Sequence, residues 1–155
     1  MQALVESARR RDSALVVGLD PVPTRLPPGL LEGREEHEAV LEFCRGILEA
    51  VSPYAAAVKV QLAYFERLGP EGMRAYAGLV REAGAAGLPV IADAKRGDIA
   101  ETAAAYAEAH LRVYGAHCVT VNPYMGADAV LPFLEEARRL GRGGGVFVLV
   151  ATSNP

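Results

Sequence analysis

Lys59 and Lys95 are the only lysines in the 155-residue sequence, although it carries sixteen basic residues. The other fourteen are arginines, whose guanidinium stays charged in a protein, whereas a lysine ammonium can release a proton during catalysis. Acidic residues flank the second lysine, because Asp93 precedes it by two positions and Asp98 follows it by three. The spacing predicts an alternating array of Lys59, Asp93, Lys95 and Asp98, in which carboxylates support a proton donor.

The array depends on strands that bring its members together. Side chains two positions apart on a strand point to the same side, so Asp93 and Lys95 should pair at a strand end. The structural alternative is an ion-pair network that closes one end of a barrel, because buried charges need compensation. Two acids also have simpler explanations. Asp98 could cap the helix that follows, and Asp20, directly before Pro21, could shape a turn.

Buried strands alternate with amphipathic helices along the whole sequence. Apolar runs indicate five strands, and apolar residues at helical spacing indicate one helix before the first strand and one after each of the first four. The predicted strands are 14–20, 54–61, 89–95, 118–122 and 146–152, and the helices between them are about 31–51, 70–86, 99–114 and 127–140. Polar residues mark the carboxyl ends of these strands, which meet at one edge of a parallel sheet.

This alternation predicts the α/β class with a parallel sheet, either doubly wound or a (βα)8 TIM barrel. No Gly-x-Gly-x-x-Gly follows the first strand, and polar residues are spread over several strand ends, so the barrel is favoured. A barrel typically needs about 250 residues and eight strands. We therefore expect residues 1–155 to form a single partial TIM-barrel domain of about five βα units, with three further strands and an arginine-bearing phosphate loop to follow.

Composition excludes several classes of partner. Nineteen acidic and sixteen basic residues give a net charge of -3 without a basic block, so we expect no nucleic-acid groove and no membrane patch. No apolar stretch reaches the roughly 18 residues of a membrane span. Cys44 and Cys118 lie in apolar patterns, which indicates buried thiols in a reducing compartment and a cytoplasmic protein. The three histidines lack metal-ligand spacing, so we expect no metal.

Four sequence blocks together resemble one enzyme family. Asp93-Ala-Lys-Arg-Gly-Asp-Ile99 is similar to the Asp-x-Lys-x-x-Asp motif of orotidine 5'-phosphate decarboxylase, the last enzyme of UMP synthesis. Gly18-Leu-Asp-Pro21, Val58-Lys-Val60 and Thr152-Ser-Asn-Pro155 resemble the blocks that flank this motif, in the same order. The likeness is greatest to the bacterial subgroup with a longer first crossover. It implies a carbon–carbon lyase that converts orotidine 5'-phosphate to UMP and CO2 without a cofactor.

The resemblance also implies a role for each residue of the site. Asp93 would lie against the substrate carboxylate, and Lys95 would protonate C6 after CO2 has left. Asp20 would bind the ribose hydroxyls, and Lys59 would bind the ribose and support the acids.

Other roles implied by the resemblance extend beyond this cluster. Asp98 and Thr102 would reach the active site of a second subunit, so the family pattern implies a homodimer with shared sites. Ser153 would hydrogen-bond the pyrimidine base of the substrate.

Two alternative functions remain open from the sequence. Hexulose-phosphate synthases and ketogulonate-phosphate decarboxylases share the barrel and the Asp-x-Lys-x-x-Asp motif but use Mg2+ and an enediolate. A different class is an inactive truncated barrel that keeps the motif and only pairs with other chains. A magnesium requirement would favour the first alternative. The sequence after Pro155 discriminates the second, because we expect three further strands and an arginine-bearing phosphate loop there.

Overall fold

Five parallel strands form one sheet in the part of the chain that the computed structural model describes, residues 1–152 and 154. The strands lie side by side in chain order, each paired with the next. A doubly wound sheet would reverse this order partway, whereas a barrel adds each strand beside the last. The order confirms the predicted α/β class and matches the first five units of a (βα)8 barrel.

Helices separate the consecutive strands. The strands are β1 (Val16–Leu19), β2 (Ala57–Gln61), β3 (Val90–Arg96), β4 (Cys118–Val121) and β5 (Gly145–Val148). The α-helices are α1 (Gln2–Arg11), α2 (Glu36–Val51), α3 (Ala63–Glu66), α4 (Gly69–Ala85), α5 (Ala100–Ala107) and α6 (Leu131–Leu140), and α5 continues as a π-helical segment, Glu108–Val113. None of the helices in the described residues has the length and apolar character needed to cross a bilayer.

Several element boundaries differ from the sequence prediction, and two of the differences have a clear local cause. The helix predicted from about residue 31 begins only at Glu36, where Glu35 and Glu38 form a capping box that fixes its start. The fifth strand was expected to reach Thr152 but ends at Val148. Val148 pairs with Val121, the last residue of β4, and the N–H of Leu149 donates to the Val121 carbonyl at 3.0 Å, so the pairing stops where β4 itself ends.

The two faces of the sheet have different neighbours, because successive side chains on a strand alternate between them. On the outer face, Val58, Val60 and Val90 join the main core, which the helices cover. On the inner face, a smaller apolar cluster lies toward the amino ends of the strands. It consists of Ala57, Ile91 and Cys118, with Leu4 of α1 and Phe147 packed against them. The carboxyl ends of the inner face are thereby left to polar side chains.

Both cysteines are packing residues, as predicted. Cys44 and Cys118 are buried free thiols. Burial, with the charge of Asp20 as a second cause, raises the pKa of the Cys44 thiol to about 12, so it stays protonated and unreactive at neutral pH.

His110 is a buried polar residue in the π-helical segment, with 3% of its surface exposed. Its Nε2 accepts a hydrogen bond from Nε of Arg96 at 3.2 Å, so the proton of the neutral ring sits on Nδ1. That Nδ1 has no hydrogen-bond partner among the described residues. Burial and the charge of Arg96 lower the pKa of His110 to about 4. The ring is therefore neutral in the folded protein at pH 7.

This histidine predicts acid sensitivity in a defined window. Unfolded His110 binds a proton near pH 6.5 but the folded protein binds it only near pH 4, so stability is lost as the pH falls between these values. Between pH 7 and pH 4.5, the free energy of unfolding measured in urea should fall by about 2–3 kcal/mol more for the wild type than for His110→Gln. Between pH 7 and 8 the two curves should run parallel. Equal slopes in the acid window would contradict a buried neutral ring.

Candidate active site

A single buried carboxylate, Asp93, collects four hydrogen bonds at the carboxyl end of β3. Its Oδ1 accepts bonds from Nζ of Lys95 at 2.6 Å and from Oγ1 of Thr120 at 2.9 Å. Its Oδ2 accepts bonds from Nζ of Lys59 at 2.8 Å and from Nε2 of Gln61 at 3.1 Å. Only 6% of Asp93 is exposed. Both oxygens are thus fully bonded, which offsets the cost of burying the charge.

The parallel register of three neighbouring strands places these donors around the carboxylate. Gln61 of β2 lies opposite Asp93 of β3, and Lys59 lies two residues earlier on the same face. Thr120 reaches the other oxygen from β4. The predicted meeting of the two lysines in one cluster is confirmed, because both amines bond the same carboxylate.

The charge state of Asp93 follows from a balance of two effects. Burial alone would raise the pKa of this carboxyl, but hydrogen bonds from Lys59, Lys95 and Thr120 outweigh it and hold the pKa below its usual range. The group is therefore ionised at neutral pH. Its contribution to stability is present above the usual carboxyl range and is lost as the pH falls through the lowered value.

Lys95 pairs with Asp93 as predicted, but not on a regular strand. Its backbone φ is 48°, in the left-handed region that a residue other than glycine adopts at a cost of about 1–3 kcal/mol. Four steps along β3, from Ala92 to Arg96, match only two steps along β4, from Val119 to Val121. This irregularity is a β-bulge, a device that redirects a side chain. The backbone N–H of Lys95 donates to Thr120 Oγ1 at 2.9 Å.

The ammonium of Lys95 is the accessible member of the cluster. Its side chain is 48% exposed, against 33% for Lys59 and 8% for Asp93. A cation held on one side by a buried carboxylate and open on the other can stabilise a negative charge that forms nearby and then protonate it. Asp93 would repel any substrate carboxylate placed against it.

Asp98 and Thr102 lie outside the cluster. Oδ1 of Asp98 accepts a hydrogen bond from the N–H of Ile99 at 2.8 Å. Ile99 is itself the N-cap of α5, so Asp98 orders the turn before the helix without capping it. Within the described residues Asp98 forms no ion pair, and the predicted array is therefore a triad of Lys59, Asp93 and Lys95. Thr102 is exposed on the first turn of α5.

Asp20 follows β1 at the same edge of the sheet and is exposed. Leu19 pairs with Val60, so Asp20 comes level with Gln61 and therefore with Asp93. A Cβ on Gly18 would lie 2.9 Å from Oδ2 of Asp20, so the glycine leaves room for this carboxylate to fold back over the strand. The predicted base-binding residue, Ser153, lies outside the described residues.

Sequence reasoning missed two residues that bond Asp93, Thr120 and Gln61. Thr120 stands in the apolar strand Cys-Val-Thr-Val, where a β-branched residue is ordinary. Thr120, which is 8% exposed, is the one residue of β4 with a buried hydroxyl, and buried polar groups need partners. Gln61 ends β2 two residues after Lys59, which is the same-face spacing that links Asp93 to Lys95. That spacing was the available signal.

The residues described contain no group of three or more His, Cys, Asp or Glu side chains arranged to hold a metal ion.

Comparison with known proteins assigns the chain to a family. The family model described as "Orotidine 5'-phosphate decarboxylase / HUMPS family" matches residues 13–155. The chain belongs to this family. The segment Asp93-Ala-Lys-Arg-Gly-Asp-Ile99, which supplies Asp93 and Lys95 to the cluster, lies within the matched residues.

Individual relatives carry the same name. Orotidine 5'-phosphate decarboxylases of Roseiflexus sp. (strain RS-1) and Bordetella avium (strain 197N) are 44% and 45% identical over 99% and 100% of this chain. The matched parts are 53% and 54% of those proteins, so the chain spans about half the length of the curated relatives it matches. The structure of Leishmania donovani OMP decarboxylase gives a TM-score of 0.80 at 41% identity, over 98% of this chain and 53% of that one.

The double role of Thr120 gives a stability prediction. Thr120→Val keeps the shape but removes a donor to Asp93 and the acceptor for the Lys95 N–H, so the free energy of unfolding at pH 7 should fall by about 1–3 kcal/mol. Thr120→Ser retains the hydroxyl and is the matched control, with a clearly smaller loss. Chemical denaturation measures both. A valine variant as stable as the serine variant would contradict the hydrogen-bonding role.

Proposed function

We propose that the protein decarboxylates orotidine 5'-phosphate to UMP and CO2 in pyrimidine biosynthesis. Family membership and the names of the relatives support the assignment of orotidine 5'-phosphate as the substrate. The observation that carries the proposal is the half-exposed ammonium of Lys95 held 2.6 Å from the buried, ionised carboxylate of Asp93.

The chemical step needs a stabilised carbanion and a proton. The bond between C6 and the carboxylate breaks, its electron pair stays on C6, and CO2 leaves. Lys95 then gives a proton from Nζ to C6, and the resulting amine recovers a proton from solvent. The pyrimidine ring delocalises this charge poorly, so a fixed ammonium beside C6 supplies the missing stabilisation.

Asp93 and Lys59 act on this step through charge. The substrate carboxylate placed against Asp93 meets a like charge, which is relieved when CO2 leaves. Asp93 also orients Lys95 by its hydrogen bond, and Lys59 offsets the charge of Asp93 from the opposite oxygen. Stabilisation of the carbanion by the Lys95 charge should lower the barrier more than repulsion by Asp93 does, because preorganised charges are usually the largest contribution to rate enhancement.

The remaining assignments are part of the same proposal. Asp20, level with Asp93 and exposed, binds the ribose hydroxyls, and Lys59 contacts the ribose. Ser153 hydrogen-bonds the base. Asp98 and Thr102, exposed or half-buried and outside the triad, contribute to the site of a second subunit in a homodimer. The unpaired thiols of Cys44 and Cys118 support a cytoplasmic location.

A direct assay tests the reaction. Purified full-length protein should consume orotidine 5'-phosphate, followed by its ultraviolet absorbance, and Lys95→Ala should lower turnover by on the order of 10^4-fold. The matched control is Arg74→Ala, which removes a cation paired with Glu71 on the surface of α4 and should leave turnover unchanged. EDTA should have no effect. Inhibition by EDTA that Mg2+ reverses would favour the hexulose-phosphate synthase alternative, and unchanged turnover in Lys95→Ala would remove it as the proton donor.

Mixing inactive variants tests the shared site. In a heterodimer of Lys95→Ala with Asp98→Asn, one site combines intact Lys95 with the intact Asp98 of the other subunit, so activity should return to a fraction of wild type. The control mixture, Lys95→Ala with Asp93→Asn, leaves a defect in both sites and should stay inactive. Lack of recovery in the first mixture, once subunit exchange has been demonstrated, would contradict the crossing of Asp98.

A further inference from the structure

Arg96 follows Lys95 directly, yet its side chain lies on the other face of the sheet, in the helix layer. Nη2 forms an ion pair with Glu66 of α3, and Nε donates to Nε2 of His110 at 3.2 Å. The guanidinium carbon lies 5.3 Å from the ring centroid of Tyr106 on α5. The side chain is only 23% exposed. Its side chain thus contacts α3, α5 and the π-helical segment.

The same guanidinium also bonds the backbone beside Lys95. Nη1 of Arg96 donates to the carbonyl oxygen of Ala94 at 3.3 Å, so the arginine side chain closes a short loop around the lysine. The Arg96 carbonyl in turn accepts a bond from the N–H of Asn122 at 2.7 Å. Lys95 is therefore held by fixed residues on both sides of its left-handed backbone.

We propose that Arg96 is a positioning residue that holds the bulge of β3 and thereby aims the Lys95 ammonium at Asp93 and the substrate. This inference rests on the proposed function. A left-handed lysine persists only where its surroundings over-determine the conformation, since it costs about 1–3 kcal/mol. Without the arginine, the left-handed backbone of Lys95 can relax to other conformations, and the distance from its ammonium to Asp93 and the substrate is no longer fixed.

The contacts require an arginine and not simply a positive charge. A planar guanidinium presents five N–H groups in a fixed fork, and here they serve a carboxylate, an imidazole and a carbonyl at once. A lysine at this position has one flexible ammonium and cannot reproduce that set. Arg96→Lys should therefore behave like Arg96→Met, whereas a role that needed charge alone would be restored by lysine.

Steady-state kinetics test the role. We expect Arg96→Met and Arg96→Lys to lower kcat about 10- to 100-fold while KM for orotidine 5'-phosphate changes little, because misplacement of the proton donor affects the chemical step. Glu66→Gln, a milder change at an exposed partner, should lower kcat in the same direction and less. The control is Arg45→Met, which breaks a bidentate pair with Glu82 between α2 and α4 and should leave kcat unchanged.

A double variant separates positioning from general loss of stability. Because Arg96 acts through Lys95, Arg96→Met should cause no further loss of activity in a Lys95→Ala background. An equal additional loss in that background would overturn the proposal, as would a wild-type kcat in both Arg96 variants. If the wild-type protein does not consume orotidine 5'-phosphate, or if Lys95→Ala retains full turnover, the proposed function fails instead.

Lysine NMR gives a readout that is independent of turnover. Protein labelled only at lysine carries the side-chain signals of Lys59 and Lys95, which Lys→Arg variants assign. In Arg96→Met the Lys95 signal should move toward that of a free side chain, while the Lys59 signal stays in place. Unchanged Lys95 signals would overturn the positioning role even if the variant were less stable.

Discussion

The ionised carboxylate of Asp93, buried between two ammonium groups, is the interaction around which the rest of this site is arranged. A buried charge is tolerated only when its partners are in place, and removing one partner leaves the others uncompensated. Here the partners come from β2, β3 and β4, so the same four hydrogen bonds that keep Asp93 ionised also tie three strands together. The lysine available for chemistry is thus part of the compensation that lets the acid remain charged.

Because side chains alternate along the strands, the residues that pack the core and the residues of the charged triad lie on opposite faces of the sheet. Outward residues of β2 and β3 enter the helix-covered core, and inward residues at the same strand ends form the charged triad. Arg96 is where the two layers meet, because its backbone belongs to the edge of the site and its guanidinium to the helices. Lys95 and Arg96, successive residues in the irregular stretch between Ala92 and Arg96, lie in these two different environments.

The strand order and the meeting of Lys59, Asp93 and Lys95 could be predicted from the sequence. Apolar runs alternating with amphipathic helices allow few topologies, and two lysines at strand ends stand out against fourteen arginines. The bulge could not be predicted, because a lysine with positive φ leaves no mark in a single sequence. Thr120 was not predicted either, because a threonine is an ordinary residue in any buried strand. Arg96 could not be singled out among fourteen arginines, because its contacts with Glu66, His110 and Tyr106 are visible only in the structure.

The apolar cluster of Ala57, Ile91 and Cys118, packed against Leu4 and Phe147, bears on how Lys95 would recover its proton after the proposed reaction. It lies on the same inner face as the triad, toward the amino ends of the strands, so the triad has apolar neighbours on that side. Under the proposed reaction, Lys95 protonates the product and then recovers a proton from solvent, which reaches its amine on the exposed side, away from Asp93. If the product lies against this exposed side, as the proposed reaction requires, a slowly released product also delays the return of Lys95 to its charged form.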